Sequence, residues 1–274
     1  MAEVVWLSSA PVKAMALSLP TSVQVGPAGI LGDRRYAVID PNNRLVNGKR
    51  IGPLATIVPA AAAPDADEAH GEPERLSLRF PDGSVVAEAV ELGRPITAVF
   101  HGTDRAVLEV GGSFSSALSA WAGSHLRLVR LVVEGGGIDR APEGGGFSII
   151  SHGSLAALAA AASLDDPLDP RRFRMSAVVD GVEAYAEDGW IGRQVQLGEV
   201  IVEPLGNVGR CAITTQDPDT GRRSLDTLEL IATTRGHLPT TEALPFGVWS
   251  SVIRPGTIRI GDPVTVLPEA GRGA

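Results

Sequence analysis

Cys211 is the only cysteine among 274 residues. It sits in the run Asn207-Val-Gly-Arg210-Cys211-Ala-Ile-Thr214-Thr215-Gln-Asp217-Pro-Asp219-Thr-Gly221. A thiolate is a soft, anionic donor for a metal and a nucleophile toward electrophiles, provided its surroundings favour the deprotonated form. Arg210 supplies an adjacent cation, and Gly206 and Gly209 on the approach let backbone come close to a ligand. The competing reading is a small buried hydrophobe without chemistry, a common fate of free cysteine. One thiol cannot build a structural zinc or iron–sulfur site. The histidines, His70, His101, His125, His152 and His237, show no ligand spacing. Asp217-Pro-Asp219-Thr-Gly221 opens like a calcium loop but lacks its later ligands and terminal glutamate, so it reads as a β-turn. Dinucleotide-binding and nucleotide-binding glycine loops and the G-x-S-x-G elbow are absent.

The elements that must position this thiol are mostly short strands. Val4–Leu7, Tyr36–Ile39, Leu76–Phe80, Ala98–Phe100, Leu126–Val133, Ser176–Val179, Val195–Leu197, Val200–Val202, Ala212–Thr215, Val248–Ile253, Thr257–Ile260 and Val264–Leu267 are rich in Val, Ile and Leu and bounded by turn residues. Strands this dense predict a sandwich- or barrel-like architecture rather than repeated βαβ units. Three helices are expected. Ser113–Gly123 carries a stripe of Phe114, Ala117, Leu118 and Trp121, Ser154–Ser163 is alanine-rich, and a third follows a Ser224 or Asp226 cap up to Gly236. Pro59–Pro73 reads as a surface loop, and glycine triplets at 135–137 and 144–146 bracket another.

Composition sets the outer limits. The chain is long enough for one large or two modest domains. With 44% hydrophobic and 20% charged residues it reads as an ordinary soluble protein. A net charge of −8 argues against a nucleic-acid partner, and 4% aromatics argue against a stacking platform for single strands. No apolar run reaches the roughly 18 residues needed to cross a bilayer. The first residues lack a signal-peptide pattern, and nothing requires an oxidising compartment, so a cytoplasmic setting without membrane contact is expected.

Read in order, several segments resemble the MOSC domain family, named for the C-terminal domain of molybdenum cofactor sulfurases. They are Arg210-Cys211-x-x-Thr214-Thr215-x-Asp217-Pro218-Asp219-Thr220-Gly221, Phe246-Gly247, Pro255-Gly256-Thr257-Ile258-x-Ile260-Gly261-Asp262-Pro263-Val264, Phe173-Arg174 with Val178-Val179, and Ala186-Glu187-Asp188-x-Trp190-Ile191-Gly192. Ala10-Pro11-Val12-Lys13 and Gly32-Asp33-Arg34-x-Tyr36 resemble the β-barrel module that precedes such domains. The resemblance is closest to the amidoxime-reducing branch. It implies a mainly β (α+β), barrel-like fold with few helices. It also implies a discontinuous cofactor-binding domain over 1–35 and 122–270 and an inserted β module over 36–121.

The resemblance further implies a molybdenum–molybdopterin cofactor, with no need of pyridoxal phosphate. Cys211 would ligate the metal as the catalytic residue. Lys13, Arg34 and Arg174 would surround the phosphate and pterin, with Arg210 beside the thiol. Ser151 and Ser154, at the start of a helix, would supply hydroxyls, and Ser176 would replace an asparagine common in relatives. Ala14 stands where relatives often carry a serine, and Met175-Ser176 where Pro-Asn is common, so substrate preference is left open. The implied function is an oxidoreductase acting on small N-hydroxylated molecules, amidoximes or hydroxylamines, with electrons from a separate donor protein. A carrier of molybdenum cofactor or sulfane sulfur on Cys211 is the alternative, and a cofactor-free binding module is a third.

Overall fold

The computed structural model describes residues 1–62, 74–133, 146–237 and 243–268. Seven strands form the principal sheet, in the order Glu3–Leu7, Ala177–Asp180, Phe147–Ser151, Pro245–Arg254, Val200–Gly209, Val195–Leu197, Val264–Val266. A bridge between Glu3 and Pro263, with Val4 N donating to Asp262 O (2.9 Å) and Val264 N to Ala2 O (2.9 Å), joins the two edges into a nearly closed, barrel-like sheet. Phe147–Ser151 is buried at all five positions, as expected of a central strand covered on both faces. Its neighbour Ala177–Asp180 runs parallel to it, and helix α2 (His152–Ala161) lies in the crossover that parallel pairing requires. The other described sheet neighbours are antiparallel.

Leu45–Val46, Tyr36–Ile39, Arg127–Leu131, Thr103–Val110 and Leu92–Phe100 form a separate five-stranded sheet. Helix α1 (Phe114–Ala122) packs on Arg127–Leu131 and buries Phe114 and Leu118 in a core with Tyr36, Leu54 and Leu128. Two three-stranded sheets complete the described fold. Helix α3 (Thr227–Arg235) is capped by Asp226, whose carboxylate accepts from Glu229 N at 3.3 Å, and it buries Ile231 beside Leu158 of α2.

The mainly β fold and its three helices agree with the sequence, but two local expectations need correction. Ala212–Thr215 is a 3₁₀ turn, not a strand. Thr214 donates to Cys211 O from its amide (3.0 Å) and its hydroxyl (3.1 Å), and Thr215 Oγ1 donates to Ala212 O (2.8 Å). Such local side-chain bonds compete with a strand ladder. Pro59–Ala62, expected within a loop, belongs to strand Val58–Ala62, which pairs with Arg75–Arg79. The remainder of that expected loop, and most of the glycine-bracketed segment, lie outside the described residues.

Candidate functional site

The loop bearing Cys211 is held from three sides. Strand Val200–Gly209 delivers it, and Arg210 pins its start. Arg210 N donates to Leu244 O (2.9 Å), Nε to Phe246 O (2.8 Å) and Nη1 to Phe173 O (2.9 Å). The guanidinium also lies 5.5 Å from the centre of the Phe173 ring. The resemblance implied a cofactor contact for Arg210. The structure shows an interior anchor that ties the cysteine loop to the residue before Arg174. Cys211 itself is half-buried, neither sealed in hydrocarbon nor on open surface, and it begins the 3₁₀ turn in an extended conformation. Thr214 Oγ1 meets Thr227 Oγ1 at 2.6 Å, fastening the turn to α3.

The third support comes from the segment Gly48–Gly52. Gln216 Nε2 donates to Gly48 O (2.7 Å), and Gly221, at φ +67°, sits so close to Gly52 that an added Cβ would lie 2.0 Å from Gly52 O. Gly221→Ala combines left-handed strain with a backbone clash, so it should cost more than about 2 kcal/mol. Gly192→Ala is the control, since Gly192 has φ +78° with open space around it. Thermal melts should show a drop several times larger for the first variant than for the second.

Lys13, Arg34 and Arg174 converge beside this loop although 161 positions separate the first from the last. The segments carrying Lys13 and Arg34 run side by side, with Lys13 N donating to Tyr36 O (2.8 Å) and Arg34 N to Ala10 O (2.7 Å). Arg34 Nη2 then reaches Arg174 O at 3.1 Å. Arg34 and Arg174 both take left-handed backbone, at φ +51° and +52°, as does Ala14 at +70°. Non-glycine residues occupy that region at a cost of about 1–3 kcal/mol, a strain that collects at ligand sites.

The charges are poorly matched. Asp33 is engaged by Arg34 Nη1 and by Ala10 N (2.6 Å). Arg174 Nη2 is buried with no hydrogen-bond partner. Burial, and then repulsion from Arg34, push the Arg174 guanidinium down to about 10. Burial, and then Arg34 and Arg174, bring the Lys13 ammonium down to about 7, with Arg105 adding to the effect and Asp33 opposing it. Because the unfolded lysine keeps its ordinary pKa, it binds more protons than the folded one between about pH 7 and 10. Its contribution to stability therefore rises with pH across that window and is least favourable below it. Lys13→Met should flatten the rise of the thermal midpoint of cofactor-free protein between pH 7 and 9.

A cavity of about 260 Å³ opens between Arg174, the cysteine loop from Ile213 to Asp219, and the segments around Leu17 and Val58. Two more arginines on its edge are already engaged. Arg171 grips Asp219 (2.6 and 3.0 Å) and Asp169 (2.7 Å), bonds that raise its pKa, and Arg172 donates to Gln216 O (2.7 Å) and Ser224 Oγ (2.8 Å).

The serines named from the sequence are buried: Ser151 ends a strand of the principal sheet, Ser154 lies in α2 and Ser176 precedes strand Ala177–Asp180. Ser151 Oγ caps α2 by accepting from Ser154 N (3.0 Å) and meets Ser154 Oγ at 2.7 Å. Ser154 Oγ donates to Glu187 Oε1 (2.7 Å) and accepts from Tyr185 N (2.8 Å). Ser176 pairs with Ser148, their hydroxyls 3.2 Å apart. Their partners are protein groups, where the resemblance implied cofactor contact. Glu187 was not singled out from the sequence, yet it is fully buried at the start of α2. An acid within the run Tyr185-Ala-Glu187-Asp-Gly-Trp190 was the signal available.

The residues fit a phosphate-bearing cofactor that brings its own metal and most of its donors. Three converging cations with an orphaned buried N–H call for a doubly charged anion. Among the described residues no group of three or more His, Cys, Asp or Glu could hold a metal ion unaided, so a metal at Cys211 needs donors from elsewhere.

Residues 141–265 match the MOSC domain family. Mitochondrial amidoxime-reducing component 1 from Homo sapiens is 35% identical over 129 residues, 45% of this chain and 37% of the human protein. Mitochondrial amidoxime reducing component 2 from Rattus norvegicus is 33% identical over 131 residues, 45% of this chain and 37% of that protein. The solved YUAD protein from Bacillus subtilis aligns over 96% of this chain and 93% of its own, at 12% identity and a TM-score of 0.41.

Proposed function

Since the chain carries a MOSC domain distantly related to the mitochondrial amidoxime-reducing components, we propose that it is a molybdenum cofactor-dependent reductase of N-hydroxylated compounds. The observation that carries this reading is the buried Nη2 of Arg174, left without a partner among three mutually repelling cations beside the cysteine loop. Lys13 and Arg174 would hold the cofactor's phosphate, with Arg34 fixing the Arg174 backbone, and Cys211 would ligate the metal through sulfur. When bound, the cofactor supplies two-electron chemistry, which is the cofactor's own. The protein's part is to hold the anion, present one thiolate and keep the substrate's N–O group in place. In the overall reaction the N–O bond breaks, two electrons arrive from a separate donor protein, two protons come from solvent, and oxygen leaves as water.

The stretches aligned with these relatives span about a third of their length, so this activity is tested directly. Protein produced in a molybdate-fed host should contain metal and pterin in equal amounts and reduce an amidoxime with an artificial reductant. Metal and pterin without turnover, accompanied by cyanide-releasable sulfur, would establish the carrier instead. Protein free of both would remove the cofactor reading.

A further inference from the structure

Lysine is rare in this chain. Of 24 lysines and arginines, only Lys13 and Lys49 are lysines. The cation cluster already has permanent positive charge from Arg34 and Arg174. A lysine among them differs in one chemical respect. It can give up its proton near neutral pH, and the amine left behind is a nucleophile, which a guanidinium is not.

The surroundings of Lys13 favour that amine. The bond from Lys13 N to Tyr36 O (2.8 Å) fixes its backbone. Arg34 on the neighbouring segment and Arg174 ahead of strand Ala177–Asp180 both repel a third positive charge, and Arg105 on strand Thr103–Val110 adds to the repulsion. Asp33 opposes them, but it is already engaged by Arg34 Nη1 and Ala10 N. Together with burial these charges bring Lys13 down to about 7, so at about pH 8 most of it is neutral, where an ordinary lysine is almost wholly protonated. The side chain is crowded enough to lose hydration, yet part of the residue's surface stays open.

In the same cluster stands an anion donor with spare capacity, the buried Nη2 of Arg174. An amine grouped with a phosphate seat suits a ligand that carries both an electrophilic carbonyl and a phosphate. We propose that Lys13 is an imine-forming site for phosphorylated aldehydes, with Arg174 holding the phosphate while the amine meets the carbonyl. The nitrogen lone pair attacks the carbonyl carbon and a C–N bond forms. The carbonyl oxygen then departs as water with the two amine protons, leaving a C=N bond. No electrons are exchanged, and hydrolysis reverses the step. The adduct fills the phosphate seat, so aldehyde capture and cofactor loading exclude each other. That exclusion rests on the cofactor reading, whereas the capture itself does not.

The experiment treats the full chain, free of cofactor, with less than one equivalent of pyridoxal 5′-phosphate or of pyridoxal. Borohydride fixes the imine, and peptide mass mapping locates it. Lys13 should carry at least about tenfold more label than the exposed Lys49 or the terminal amine, the scale that one charge-assisted hydrogen bond supplies. Pyridoxal, which has no phosphate, should label Lys13 about tenfold less, by the same arithmetic. Inorganic phosphate should slow the reaction of the phosphorylated reagent. Arg174→Met should bring the two reagents level at Lys13 and leave Lys49 unchanged, a pattern that general loosening of the fold would not produce. Label spread evenly over the amines, equal labelling by the two reagents, or indifference to inorganic phosphate would overturn the inference. Protein loaded with metal and pterin should be protected at Lys13, and undiminished labelling there would overturn the exclusion. A chain that binds no pterin would end the reductase reading, and the labelling of Lys13 would still decide this inference.

Discussion

Exchanging Arg174 for methionine is expected to weaken cofactor retention about 100-fold while raising the thermal midpoint of the cofactor-free protein. The two effects have opposite signs because the guanidinium is unfavourable until an anion arrives. In the free protein its Nη2 is buried without a partner and it repels Arg34 and Lys13. Replacing a buried charge that has an unpaired N–H and like-charged neighbours by an apolar side chain of similar length removes a desolvation cost, so the free protein should be stabilised. Removing one partner of a buried charge pair in a complex costs about 2–5 kcal/mol, which corresponds to the expected loss. Methionine inherits the same left-handed backbone, so that strain is nearly equal in the two proteins. Pterin content after gel filtration, set beside thermal melts of the cofactor-free forms, reads both effects. A fall in both quantities would mean that Arg174 is a structural prop.

Cys211→Ala should lower molybdenum-dependent turnover by more than about 1,000-fold, the scale seen when one member of a catalytic unit is removed. The fold should survive, because the turn is held by Arg210, Thr214 and Gly221 rather than by the thiol. The thiol is half-buried and free, so its loss leaves at most a small void. Turnover and metal content equal to those of the parent protein would dismiss the thiolate as a ligand.

Much of this was legible in the sequence, and the misreadings have physical causes. The three helices announced themselves through caps and terminal glycines, as Asp226 and Gly123 show. Strand Ala177–Asp180 read clearly because its apolar run is short and bounded. Ala212–Thr215 misled because β-branched residues favour strands, whereas their hydroxyls here bond back to local carbonyls. Strand Leu92–Phe100 was visible only at its buried end, since Gly93 and Pro95 interrupt an exposed half. At the site, Lys13, Arg34 and Arg174 lie together, and their crowding is a tertiary fact. No spacing rule brings residue 13 to residue 174. Sequence identifies Arg210 and the serines as polar side chains and says nothing of which protein neighbours satisfy them.

The seam that closes the principal sheet, made by residues 2–4 and 262–264, bears on how the protein matures. Pairings this distant along the chain form slowly and late, so both rims of the cylinder stay unsatisfied until residues 262–264 have met residues 2–4.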